Sequence, residues 1–136
     1  MKSVFLSMIL ALGALVAAPA AAAVSPVTVP GATTVTVEEA AALFDAGVVF
    51  VDVRKPSDYE AGRIPGAVHL DSTSAFTEAA LEAVVGKEEK VVIYCNGESC
   101  LRSSEASALA VGWGFTQVFY LRDGYPAWDA AGLPVE

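Results

Sequence analysis

Both cysteines of the chain fall in one short stretch, VVIYCNGESCLRSSEASALA, residues 91–110. Four residues separate Cys95 from Cys100, and Arg102 stands just beyond, after Leu101. Thiols this close fit three chemistries: a disulfide clip, a metal site, or a nucleophile with a helper. Metal is the weakest of them, because C-x4-C lacks the ligand count of a zinc centre and no histidine adjoins it. The single histidine, His69, lies in a short apolar stretch and reads as a packed or hydrogen-bonded side chain rather than as a dyad partner for Cys95. Two readings of Cys95 stay open, a nucleophile and a buried structural cysteine at a strand end. The first is favoured by what surrounds it. Should Asn96, Gly97, Glu98, Ser99, Cys100, Leu101 and Arg102 curl round the sulfur, their N–H groups form an anion-binding nest. A helix starting there adds the positive end of its dipole, and both effects drive a thiol toward thiolate. Gly97 permits the tight curl. Glu98 acts against it, since a carboxylate in the loop opposes thiolate formation and anion binding.

Such a loop needs a strand before it and a helix after it. KVVIY (90–94) is apolar after its first residue and runs straight into Cys95. RSSEASALAVGWGF (102–115) carries Ala106, Leu109, Ala110 and Trp113 at helical spacing. Elsewhere, VVFVDVR (48–54) and QVFYL (117–121) read as further buried strands, and AVHL (67–70) as a short one. TVEEAAALFDAG (36–47) has a capping box of Thr36 and Glu39 and ends at Gly47. AFTEAALEAVV (75–85) and PAWDAAG (126–132) read as helices, and a helical turn is expected around Asp58. Strands alternating with helices, the strands apolar throughout, predict an α/β domain on a mainly parallel sheet.

The first residues bear on compartment. Lys2 precedes the apolar run VFLSMILALGALVAA, and PAAAAVSP follows with small residues. This is the layout of a secretory signal peptide over residues 1–23, cleaved after Ala22 or Ala23. A loose lead-in at 24–33 and one domain at 34–136 complete the expected organisation. Of 8 basic residues only Lys2 lies in the leader, so the rest of the chain has 7 against 16 acidic, a net charge of −9. That balance argues against nucleic acid or an anionic membrane surface as a partner. Export to the periplasm or beyond would place the thiols where disulfides persist.

Three stretches together resemble a rhodanese (sulfurtransferase) domain: FVDVRKPSDYEAGRIPGAVHL, KVVIYCNGESCLRSSEASALAVGWGF and VFYLRDGYPAWDAAGLPVE. They follow that family's order and spacing over roughly residues 34–136. The resemblance implies a rhodanese-like three-layer α/β domain with a central five-stranded parallel sheet flanked by helices. It also implies that Cys95 carries sulfur as a covalent persulfide, with no other cofactor. The donor would be a small sulfur-containing anion such as thiosulfate. The acceptor would be cyanide, a thiol, or the thiol of an exported protein. A monomer is expected. Asp52 and Arg54 match the family's DVR turn, where they are expected to pair or brace the loop. Arg63, before IPGA, reads as scaffold. Trp128 and Trp113 read as core or rim aromatics.

The active loop departs from the family's C-x4-R pattern. Either Cys100 replaces the arginine, or the loop is longer by two residues and Arg102 is the equivalent. The length from Arg102 to GWGF favours the longer loop, which would admit a larger anion, as in phosphatases of this fold. Glu98 would make thiosulfate a poor donor. Cys100 is the candidate resolving thiol: a bridge to Cys95 would make the protein a redox-switched carrier or a thiol–disulfide protein. A fold retained only for binding is the third alternative.

Overall fold

The computed structural model describes residues 13–18 and 23–136, so most of the expected signal peptide lies outside the described residues. Among the described residues no helix is long and apolar enough to cross a membrane.

Five strands form one parallel sheet: β1 (Ala32–Thr34), β2 (Val49–Asp52), β3 (Val68–His69), β4 (Lys90–Tyr94) and β5 (Gln117–Leu121). Their spatial order is β1-β5-β4-β2-β3. The connections supply α1 (Val37–Asp45), α2 (Pro56–Ala61), α3 (Glu78–Glu82) and α4 (Arg102–Gly112), and α5 (Gly124–Ala130) follows β5. The three-layer α/β architecture is as the apolar runs require. β4 and β5 bury both faces, because side chains alternate across a strand. Val91, Ile93 and Cys95 join one core with Phe76, Leu81, Ala106, Ala110 and Phe115. Val92 and Tyr94 join the other, with Phe50, Ile64, Leu121 and Trp128. The same alternation therefore aims the Cys95 side chain toward the α4 layer.

Register decides what Cys95 meets. Tyr94 pairs with Asp52 on one side and with Leu121 on the other. The loops after β2, β4 and β5 consequently leave the sheet side by side at its carboxyl edge, where ligands bind in open parallel sheets. One elementary device thus brings 52–55, 95–102 and 122–125 together.

Three expectations need correction. The lead-in at 24–33 is not loose. Ser25 and Val29 are buried, the Tyr120 hydroxyl donates to Pro26 O at 3.0 Å, and the Thr34 hydroxyl donates to Val27 O at 2.6 Å. Its last residues open β1, so the domain begins before residue 34. The helix read over 75–85 is regular only at Glu78–Glu82, because the N–H groups of Ala75 and Phe76 turn back to Asp71 O. The strand read over 48–54 ends at Asp52, although Val53 N–H still donates to Tyr94 O.

Candidate active site

Cys95 follows β4 directly and is bonded to Cys100, the two Cα atoms 6.4 Å apart. Cys95 is 1% exposed. In this state the sulfur is neither a thiolate nor a nucleophile; that chemistry begins with reduction of the bridge. The loop between them is curled, with Gly97 at φ 109° and the Cys100 N–H donating to Gly97 O at 3.0 Å. The N–H groups of Asn96, Gly97, Glu98, Ser99 and Leu101 donate to no protein acceptor among the described residues. Leu101 is the N-cap residue of α4, whose first residue is Arg102. Amides without a protein acceptor and the start of α4 thus lie within one seven-residue stretch, 96–102.

Beside the bridge lies a cavity of about 230 Å³, lined by Arg54, Lys55, Asp58, Asn96 and Arg102 together with both cysteines. Three of these carry positive charge and one negative. Asp52 and Arg54 form a buried pair: Arg54 Nη2 donates to Oδ2 at 2.7 Å and Nε to Oδ1 at 3.0 Å. Both residues are at most 3% exposed. The remaining Arg54 protons reach Gly62 O at 2.6 Å and Asn96 Oδ1 at 3.3 Å, so the ion pair also braces the loop. Burial alone would lower the Arg54 pKa; the Asp52 carboxylate more than offsets it, and the net shift is upward. Burial first, then the Asp52 charge, pushes the Tyr94 hydroxyl pKa up, so it stays neutral beneath the site. Asn96 Nδ2 donates to Asp58 Oδ2 at 2.8 Å and so occupies the cavity's one carboxylate.

Arg102 reaches across the cavity wall to Asp71 Oδ1 at 3.2 Å. Asp71 is held in turn by the Thr73 N–H and hydroxyl, which with Arg102 lower its carboxyl pKa. Arg102 therefore lines the cavity from the start of α4, and Cys100, bonded to Cys95, lines it too.

Glu98 departs from its expected place inside the loop. Its carboxylate does not line the cavity; it turns outward to Arg122 Nη1 at 3.4 Å. Arg122 also donates twice to Ser25 O, at 2.9 and 3.2 Å, and the Ser25 N–H donates to Glu98 O at 2.7 Å. The lead-in thus straps the loop from outside, and the Glu98 carboxylate faces Arg122 rather than the cavity.

The other singled-out residues have structural partners. His69 Nε2 lies 2.8 Å from Arg54 O and its ring stacks on Tyr59, away from the bridge. Arg63 pairs with Glu136 at 3.0 Å and tethers the last residue. Trp128 is fully buried against Phe44 and Phe50, and half-buried Trp113 stacks on Phe76. Ser99 is exposed, and Leu101 O accepts from the Ser104 hydroxyl at 2.9 Å. Sequence reasoning missed Lys55, Asp58, Asp71, Arg122 and Gly124. Gly124 has φ 69°, and a Cβ there would meet Cys95 O and lie 2.5 Å from Gly97 N. The DGYPAW stretch signalled it, since a glycine between a strand and a helix asks what it must avoid.

Comparison with known proteins bears on the family and the fold. The family model for the rhodanese-like domain matches residues 36–131. The chain is 41% identical over 91 residues to the thiosulfate sulfurtransferase GlpE of Pseudomonas syringae pv. syringae (strain B728a), covering 67% of this chain and 81% of that one. The rhodanese-like domain of the Anabaena sp. Alr3790 protein superposes with a TM-score of 0.65 at 25% identity, covering 76% of this chain and 77% of that one. The human single-domain sulfurtransferase TSTD1 gives a TM-score of 0.61 at 26% identity, with 71% and 95% covered.

Proposed function

Because the chain belongs to the rhodanese-like domain family, we propose that it is a sulfurtransferase working through reduced Cys95. The Cys95 thiolate attacks the outer sulfur of a sulfane donor such as thiosulfate, and sulfite leaves. The resulting persulfide then gives its outer sulfur to a thiophilic acceptor, cyanide or a thiol. One observation carries this reading: the cavity beside Cys95 concentrates Arg54, Lys55 and Arg102 on a chain whose formal net charge is −8. Cations at that place favour the thiolate, the persulfide anion and the anionic donor together, which is preorganised electrostatic stabilisation. Asp52 holds Arg54 in position, and Asn96 keeps Asp58 from competing.

The compartment belongs to the same proposal. An exported monomer, acting on a small sulfur anion and passing sulfur to a small thiol or an exported protein thiol, fits a leader-like start and a bridge that oxidising surroundings preserve. Thiosulfate:cyanide turnover by the pre-reduced protein tests it. Activity present in wild type and abolished in Cys95→Ser supports the reading; equal turnover in Cys95→Ser overturns it.

The bridge itself favours a second reading, a thiol–disulfide oxidoreductase. Such a protein would exchange with small disulfides yet release no sulfite from thiosulfate. A module kept for binding alone would do neither.

A further inference from the structure

We propose that Cys100 is a resolving thiol that converts the Cys95 persulfide into free sulfide and the Cys95–Cys100 disulfide, making the protein a self-limiting sulfane-sulfur reductase as well as a carrier. The step rests on the sulfurtransferase reading and adds a second fate for the bound sulfur.

Three features point to it. The Cα atoms, 6.4 Å apart, lie within the roughly 4.4–6.8 Å span that a disulfide bridges without backbone movement. Cys100 is bonded to Cys95 Sγ itself, the inner sulfur of the persulfide, so the bridge in this structure is the product that such an attack would leave. Cys100 also stands just ahead of the N-terminus of α4, an 11-residue helix, and lines the cavity with Arg54, Lys55 and Arg102. Positive potential from both sources favours its thiolate.

The chemistry balances. Loading forms the bond from Cys95 Sγ to the outer sulfur of thiosulfate and breaks the bond from that sulfur to the sulfite group. Resolution forms the Cys100 Sγ–Cys95 Sγ bond and breaks the bond to the outer sulfur, which leaves as hydrosulfide with the electron pair. The two cysteine sulfurs together lose two electrons, and the sulfane sulfur gains them. In sum, thiosulfate and two protein thiols give sulfite, hydrogen sulfide and one protein disulfide. Hydrosulfide departs into the cationic cavity, where Arg54, Lys55 and Arg102 offset its charge. A thiol reductant must then reopen the bridge before another sulfur is loaded, so the redox state of the surroundings sets whether the protein is active. An acceptor thiol arriving before Cys100 attacks would divert the sulfur to transfer instead.

The test uses the full chain, reduced and then freed of reductant, mixed with thiosulfate and no other acceptor. Sulfite, sulfide and protein mass are followed. Wild type is expected to release sulfite and sulfide in equal amounts, one of each per protein, and to finish as the disulfide. Cys100→Ser is expected to release sulfite, release no sulfide, and retain the added sulfur on Cys95; Cys100→Ala serves equally should the serine variant misfold. Sulfite release by wild type with a stable persulfide and no sulfide overturns the resolving role while leaving the sulfurtransferase reading intact. Sulfide release from Cys100→Ser equal to that of wild type overturns it too. Absence of sulfite from wild type overturns the loading step, and with it both readings.

Discussion

Arg54 lies two residues after Asp52 at the carboxyl end of β2, and its guanidinium is gripped by that carboxylate through three side-chain hydrogen bonds of 2.7–3.1 Å. The pair is sealed by aromatic rings, with the Arg54 guanidinium 4.6 Å from the centroid of Tyr125. Removing one partner leaves the other charged and buried. Asp52→Ala is therefore expected to cost about 3–5 kcal/mol of stability. The matched double variant Asp52→Leu/Arg54→Met should recover part of that loss, since replacing both members of a buried pair is often close to neutral. Urea unfolding of the three proteins checks this. A single variant within about 1 kcal/mol of wild type would show that the pair is far better hydrated than its burial implies.

Asp71 gives the protein an acid-sensitive contact. Hydrogen bonds from the Thr73 N–H and hydroxyl, and then the Arg102 charge, lower its carboxyl pKa below the ordinary aspartate value of 3.8. A group that binds its proton less tightly when folded contributes fully above the unfolded-state pKa and fades as pH falls through the folded one. The expected result is a stability difference between wild type and Asp71→Asn that is constant from pH 7 down to about pH 5 and shrinks below about pH 4. Urea midpoints across that range measure it. A difference that widens on acidification would mean the sign is wrong and the carboxyl is protonated more readily in the fold.

The β4–loop–α4 unit was legible because its signals are local. An apolar run, a glycine-bearing turn and helical spacing follow one another within 26 residues, 90–115. β1 was hidden because Ala32–Thr34 is a three-residue edge strand, paired on one side with Val118–Tyr120 and too short for periodicity to mark, although Thr33 and Thr34 are β-branched. The pairing of Asp52 with Arg54 could be anticipated from their proximity. The orientation of Glu98 could not, because its partner Arg122 leaves β5, 24 positions further on. Sequence places a charge in a loop; its partners in space decide which way it faces. For the same reason the anchoring of the lead-in escaped notice: Ser25 is held by its backbone, which every residue type shares.

Gly124 is the position where the helix after β5 passes closest to the active loop. A Cβ there would press on Cys95 O and on Gly97 N, both backbone atoms that cannot swing aside, and φ is 69°. Gly124→Ala should therefore displace the start of the loop, costing at least about 1–3 kcal/mol from the backbone alone. Sulfur transfer should fall more than stability does, because the amides of Asn96 and Gly97 move with Cys95. Comparing turnover with urea midpoints separates the two effects. Gly132→Ala is the control, with a similar φ of 71° and no neighbour within 4 Å of the added carbon. Equal losses in the two variants would assign the whole effect to φ strain and none to the loop.

Arg122 is expected to act on the site through Glu98. With its guanidinium 3.4 Å from the Glu98 carboxylate, it turns that charge outward, and it pins Ser25 against the loop at the same time. In Arg122→Ala the carboxylate is free to swing toward the nest, so an anionic donor should bind more weakly. Exposed charge pairs are worth about 1 kcal/mol or less, which converts to a rise in the thiosulfate KM of about fivefold at most. If the mechanism is electrostatic, Glu98→Gln in the Arg122→Ala background should restore most of the loss, and raising ionic strength should shrink the difference between the two. If the strap alone matters, the double variant will remain as poor as Arg122→Ala, and the effect will be insensitive to salt. Steady-state kinetics on the four members of the cycle, with the protein kept reduced, distinguish the field of one carboxylate from the grip of a backbone.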